Sequence, residues 1–112
     1  MLFVSQKTGS SDMFFKKKEK KFKIPDNTKV FTSTFVMNDK NPITYVTHEA
    51  SDGSWQFLSH DQFEKYEDVS VIVELQELLA LDATLLELVD MRKGYHAFRA
   101  KATDKWVVKK SH

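Results

Sequence analysis

Apolar and polar positions alternate over short stretches of the chain, which predicts strands. Residues 30–36 and 43–48 are both rich in β-branched and aromatic side chains, so each is predicted to be a strand. Asp52-Gly53 is typical of a hairpin turn, because glycine adopts a positive φ at little cost. Residues 55–58 then return as a third strand, with Trp55 and Phe57 on one face.

The second half of the chain mixes the two periodicities. Residues 69–73 alternate like a strand, and residues 95–109 predict a final hairpin around a polar turn at Thr103-Asp104. A short helix is predicted over residues 61–66. The sequence therefore predicts an α+β domain: a mostly antiparallel sheet with two or three short helices.

A leucine-rich stretch between these strands has two interpretations. Residues 75–79 place leucines at i, i+3 and i+4, which is the spacing of a helical face. Asp82 is well placed to cap a second helical turn that continues to residue 89. One bent helix over residues 74–89 fits the same spacing, and periodicity does not separate the two.

The 112 residues divide into an arm and one domain. Residues 1–28 are predicted to be a Lys-rich arm, flexible or loosely packed, with Phe14, Phe15 and Phe22 as its anchors. Residues 29–112 are predicted to fold as a single α+β domain, since their aromatic content is high enough to build a core.

Several classes of protein are disfavoured by composition. The chain has no cysteine, so disulfides and thiolate metal sites are excluded. The four apolar residues at the start are too few for a signal-peptide core, and no apolar run is long enough to span a bilayer. We therefore expect a cytoplasmic protein with no membrane span.

Charge is distributed unevenly along the chain. Residues 1–29 carry eight lysines against three carboxylates, a net charge of +5. Between His60 and Asp90, nine carboxylates accompany a single lysine, Lys65. A bias of this kind bears on partners rather than on the fold.

Four segments carry a resemblance to a known family. A strand with Tyr45 ends at Glu49, and an acidic turn leads into a Trp-led strand over residues 52–59. A strand and a leucine-rich stretch follow over residues 73–85, and a Gly-aromatic-Arg segment spans residues 94–99. In this order they resemble a widespread bacterial domain of unknown function, some members of which are grouped with immunity proteins of polymorphic toxin systems.

The resemblance covers about half of the chain and implies a fold and a binding role rather than an active site. Immunity proteins neutralise a toxin by covering its surface, so the implied partner is a protein, a toxin for example. The chain departs from the usual family pattern at three places. Gly53-Ser54 stands where the family has Ser-Gly, His48 stands in place of an arginine, and His60 stands in place of a glycine.

Two surfaces are candidates for binding. The first would meet a protein partner through its charge and through the hairpin; its residues are Asp52, Trp55, Asp61, Glu64, Glu67 and Asp68. Trp55 is also interpreted as a core residue because it alternates with Phe57, and the carboxylates also fit an ordinary solvated surface. The second surface is the alternative, non-specific binding of nucleic acid, through Lys16, Lys17, Lys18, Lys20 and Lys21.

No catalytic motif stands out. No serine has the surroundings of a nucleophile elbow, and three glycines in the whole chain supply no phosphate-binding loop. His48, Glu49, His60 and His96 lack the spacing of a helical zinc site. We therefore expect a non-catalytic protein without a metal or other cofactor.

Overall fold

Six short strands form one sheet in the computed structural model, which describes residues 20–111. The strands are β1 (Lys29–Ser33), β2 (Tyr45–His48), β3 (Trp55–Leu58), β4 (Ser70–Glu74), β5 (Tyr95–Phe98) and β6 (Val107–Lys110). The helical segments are α1 (Thr34–Met37), α2 (Tyr66–Val69), α3 (Leu75–Leu81) and a 3-10 helix (Ala83–Leu88). The predicted α+β class is confirmed.

The strand order is β4-β1-β3-β2-β5-β6. β1 and β3 are parallel, and every other neighbouring pair is antiparallel, so the sheet is mixed rather than purely antiparallel. The parallel pair arises because the β2–β3 hairpin places its second strand beside β1. The predicted hairpin is confirmed, and its register places His48 opposite Trp55 and Tyr45 opposite Leu58.

The first strand is shorter than the sequence predicts. β1 ends at Ser33, whose side chain accepts a hydrogen bond from the backbone N–H of Val36 at 3.4 Å. Ser33 thereby caps α1, and Phe35 and Val36 are helical rather than extended. The prediction of one strand over residues 30–36 is wrong because local capping outweighs the β propensity of these side chains.

The helix predicted over residues 61–66 is displaced. Asp61 Oδ2 accepts hydrogen bonds from the Ser59 hydroxyl at 2.5 Å and the Asn41 amide at 2.9 Å, so its side chain holds a loop instead. The chain becomes helical only at Tyr66. This prediction is wrong in position, by about the length of the helix itself.

Asp82 separates the two leucine-rich segments. Its backbone is extended, with φ −151° and ψ 97°, which ends α3. Its side chain accepts a hydrogen bond from the backbone N–H of Thr84 at 3.0 Å and so begins the 3-10 helix. The interpretation with a capped second turn is confirmed, and the single bent helix is wrong. Within residues 20–111, no helix is long and apolar enough to cross a membrane.

Among residues 20–111, one face of the sheet carries the core and the other is largely open. The covered face carries Val46 and Phe57, and the leucines of α3 and the 3-10 helix complete the core. Phe22 packs edge-on against Trp55, with ring centroids 5.1 Å apart, which confirms it as an anchor. Residues 20–28 of the predicted arm therefore reach the core through this ring, whereas Phe14 and Phe15 lie outside the described residues.

Gly94 turns the chain into β5 with φ +85°. Its N–H donates to the His48 carbonyl and its carbonyl accepts from Ser111 N–H, both at 2.7 Å. A Cβ at this position would meet Ala50 Cβ at 3.6 Å, an ordinary contact. Substitution of Gly94 should therefore reduce stability only because other residues disfavour its positive φ.

We expect Gly94→Ala to lower the free energy of unfolding by about 1–2 kcal/mol, since an L-residue is disfavoured at this φ. Urea denaturation monitored by tryptophan fluorescence measures the change. Ser51→Ala, at an exposed position nearby, serves as the control and should stay within about 0.5 kcal/mol of wild type. An equally small change for Gly94→Ala would contradict the assigned turn.

Candidate protein-binding surface

Trp55 belongs to the core. It is 5% exposed, and its ring stacks on that of His48 at 4.0 Å between centroids. His48 is held in turn by a hydrogen bond from Nδ1 to the Met91 carbonyl at 2.8 Å. Of the two interpretations of Trp55, the core position is confirmed and the exposed side chain is wrong, because the ring is almost fully buried.

Asp52 and Asp61 hold loops at opposite ends of β3. Asp52 Oδ1 accepts from Ser54 N–H at 2.9 Å, and this hydrogen bond lowers the pKa of Asp52. Hydrogen bonds from the Ser59 hydroxyl and then from the Asn41 amide lower the pKa of Asp61. They are therefore separated by the four residues of β3, and the predicted surface that joins the hairpin to the acidic segment stays a prediction.

The other predicted carboxylates lie near one edge of the sheet. Glu64, Glu67 and Asp68 are exposed, and none of them makes an ion pair with another described residue. Two further carboxylates of the acidic segment are paired. Glu74 lies 3.6 Å from Lys29, and Asp82 lies 2.5 Å from Arg99.

The lysines of the alternative function are only partly described. Lys20 and Lys21 are exposed, next to the buried Phe22. Lys16, Lys17 and Lys18 lie outside the described residues. The nucleic-acid hypothesis therefore stays a prediction.

The histidines are dispersed. His48 bonds to Met91, His60 Nε2 donates to the Ala100 carbonyl at 3.0 Å, and His96 Nδ1 lies 2.8 Å from Ser111 Oγ. Within residues 20–111, no three histidines or carboxylates come close enough together to hold a metal ion.

Sequence reasoning missed an apolar row on the open face of the sheet. Its members are direct cross-strand neighbours on four adjacent strands, in the order Leu58, Tyr45, Phe98 and Val107. Tyr45 is 38% exposed, Phe98 36% and Val107 44%, which is high for large apolar side chains placed side by side. We call these four residues the apolar row.

A hollow of about 650 Å³ lies against the apolar row. Two loops form its walls, one after β3 and one between β5 and β6, and the His60–Ala100 hydrogen bond joins them. Asp104 and Lys105 are the charged residues of its exposed rim. The hollow is large enough to accept one or two side chains of a partner.

A polar row runs beside the apolar row. Gln56, Thr47, His96 and Lys109 are likewise cross-strand neighbours. The His96 ring lies 5.8 Å from that of Tyr45 and 5.9 Å from that of Phe98, and Lys109 Nζ lies 5.9 Å from the Phe98 centroid. The open face is therefore apolar at one end and polar along its middle.

The two edges of the sheet carry opposite charge. The β4 edge is preceded by the acidic residues 61–68, whereas residues 92–110 contain seven basic side chains and one carboxylate, Asp104. Arg99 is buried, and the other basic side chains of this stretch are exposed. The folded domain is thus not acidic throughout: its β6 side is basic.

Comparisons of this chain with protein families, with curated proteins and with solved structures find no match. The resemblance to the immunity-protein domain therefore stays a prediction.

Proposed function

We propose that the protein is a non-catalytic protein-binding module whose contact surface is the apolar row with its hollow. The observation that carries this proposal is that Tyr45, Phe98 and Val107 are exposed cross-strand neighbours, with the half-buried Leu58 beside Tyr45 on a fourth strand. Contiguous apolar patches on soluble domains commonly mark interaction sites, and aromatic side chains at their centre contribute most of the binding energy.

The charged residues beside the apolar row indicate which kind of partner would fit it. The apolar row ends at β6, and two lysines are exposed beside it: Lys105, just before this strand, and Lys109, on the open face of the strand. A partner that covers the row would place its own rim against these lysines, so carboxylates beside an apolar contact fit best. The partner class implied by the family resemblance, a toxin, is one protein that such a surface could cover.

Phe98→Asp tests the proposal, because it places a charge at the centre of the apolar row. The partner would first be isolated from extracts of the source cells, then purified and titrated against each variant by calorimetry. We expect Phe98→Asp to weaken binding by at least about 30-fold, as loss of an interface hot spot does.

Leu81→Asp is the matched control. Leu81 is 44% exposed, comparable to Phe98, but lies at the end of α3 away from the row. It should bind the partner within about twofold of wild type. Equal binding by wild type and Phe98→Asp would exclude the apolar row as the contact surface.

The arm provides a second control. A Lys20→Glu, Lys21→Glu double variant changes the charge of the arm and leaves the sheet intact, since both side chains are exposed. If this variant lost binding while Phe98→Asp kept it, the arm would be the binding element. In that case the alternative function would apply, and the affinity of the protein for single-stranded DNA should fall steeply as the salt concentration rises.

A further inference from the structure

In the part of the chain that the structure describes, no strand covers the outer edge of β6. Within residues 20–111, β6 pairs only with β5, and all four of its residues are exposed. An open edge presents unpaired backbone donors and acceptors, to which another strand can add. Its position next to the apolar row makes it part of the same surface.

The hydrogen-bond pattern identifies the free donors. Ser111 N–H donates to the carbonyl of Gly94, its opposite residue, at 2.7 Å. In an antiparallel ladder such pairs alternate, so Val107 and Lys109 direct their N–H groups toward β5. Val108 and Lys110 therefore direct theirs outward, away from the sheet.

Side chains on this edge show which sequence would fit. Val107 and Lys109 lie on the open face, and Val108 and Lys110 lie on the opposite face. Each face of β6 therefore carries one aliphatic and one cationic residue. Directly opposite side chains on paired strands stabilise the pair when both are aliphatic or when their charges are opposite.

We infer that the partner adds an extended segment to β6 as a seventh strand, a mode of binding that rests on the proposed function and specifies its partner. The segment runs antiparallel to β6, which is the more stable pairing. It carries two carboxylate residues opposite Lys110 and Lys109, followed by two aliphatic residues opposite Val108 and Val107. One of these aliphatic side chains lies beside Val107 at the end of the apolar row.

The lysines also argue against a second copy as the occupant. Two β6 strands pairing with each other would bring lysines of both copies together, and lysine on an edge strand commonly prevents such pairing. The same charges attract an acidic segment. The edge therefore selects for a partner of different sequence.

Amide hydrogen exchange with a synthetic peptide tests the inference. The probe is an acetylated octapeptide with two glutamates followed by two valines at its centre, and the control peptide has lysines in place of the glutamates. At 90% occupancy, exchange of the Val108 and Lys110 amides should slow by about tenfold, whereas the Lys109 amide, already paired to β5, should change little. The lysine peptide should give no protection.

Val108→Pro provides a second measurement. It removes one outward N–H without removing a bond to β5, and proline is tolerated on an edge strand. We expect it to weaken peptide binding by about tenfold or more, the loss of one or more backbone hydrogen bonds. Val108→Thr retains both the N–H and the branched shape, and should bind like wild type.

Three outcomes would overturn the inference. Unchanged exchange at Val108 and Lys110 together with full binding by Val108→Pro would exclude strand addition. Equal protection by the lysine peptide would exclude an acidic segment. Protection that rises with protein concentration and needs no peptide would identify a second copy as the occupant. None of these outcomes changes the result expected for Phe98→Asp, so the proposed function is judged separately.

Discussion

Asp82→Ala is expected to lower the free energy of unfolding by about 3–5 kcal/mol, because it leaves a buried guanidinium without its counter-charge. The Arg99 side chain is 0% exposed, and Asp82 Oδ2 lies 2.5 Å from its Nη2. Removal of Asp82 also removes the cap of the 3-10 helix, because the Asp82 side chain accepts a hydrogen bond from the Thr84 N–H. A single substitution causes both losses, so the decrease in the free energy of unfolding should be among the largest for any residue of the chain.

The surroundings of Arg99 explain why no other group replaces Asp82. Arg99 Nε and Nη2 donate to the Ile43 carbonyl at 3.1 and 2.9 Å, and Nη1 donates to Thr84 Oγ1 at 3.0 Å. The Trp106 ring lies 4.0 Å from the guanidinium carbon. These neighbours are neutral, and Asp82 is the one carboxylate that pairs with Arg99 in the described part of the chain.

Urea denaturation of Asp82→Ala and of a control, Glu87→Ala, measures the difference. Glu87 is exposed on the same 3-10 helix, so its removal should change stability by less than about 0.5 kcal/mol. Arg99→Met in the Asp82→Ala background should recover part of the loss, since it removes the unpaired charge while keeping apolar volume. A loss below about 1 kcal/mol for Asp82→Ala would show that solvent reaches the guanidinium after all.

Local patterns were sufficient for much of the fold. The Asp52-Gly53 turn and the alternation of Trp55 with Phe57 predict the β2–β3 hairpin, because both signals lie within a few residues of the contacts they specify. Asp82 was predicted as a cap for the same reason. Its partnership with Arg99 joins residues that are 17 positions apart and could not be predicted, since no pattern in the sequence indicates which carboxylate meets which arginine.

The apolar row is a second feature that the sequence does not predict. The alternation along each short strand shows only which residues of that strand share a face. It does not show that Tyr45, Leu58 and Phe98, which belong to three strands, lie next to one another. They become neighbours of one another because β2 lies between β3 and β5. Strand order depends on long-range packing, so the pattern along the chain does not indicate that these side chains lie side by side in the sheet.

The distribution of charge within the domain is finer than its net charge indicates. Averaged over residues 30–112 the domain is acidic, but residues 92–110 alone are basic. The fold turns this difference along the chain into a difference between two edges, because β4 and β6 lie at opposite ends of the strand order. About five strand spacings of roughly 4.8 Å separate them, which exceeds the screening length in physiological salt, so the charges of one edge have little effect at the other.

Trp55→Ala is expected to destabilise the protein by about 3–5 kcal/mol, the usual loss when a large aromatic side chain is removed from a core. Phe22 packs edge-on against this indole and His48 stacks on it, so the cavity would be lined by rings that lose their contacts. Gln56→Ala, on the same strand but directed to the open face, is the control and should be nearly neutral.

The same substitution shows how residues 20–28 are held. If the indole is the site where Phe22 docks, Trp55→Ala should speed tryptic cleavage after Lys23 under conditions in which the sheet remains folded. Trp55→Phe keeps an aromatic ring and should retain most of the stability as well as full partner binding, since a buried side chain offers no contact. Weakened binding by a folded Trp55→Phe protein, with no loss of stability, would mean that the indole meets the partner directly and is not confined to the core.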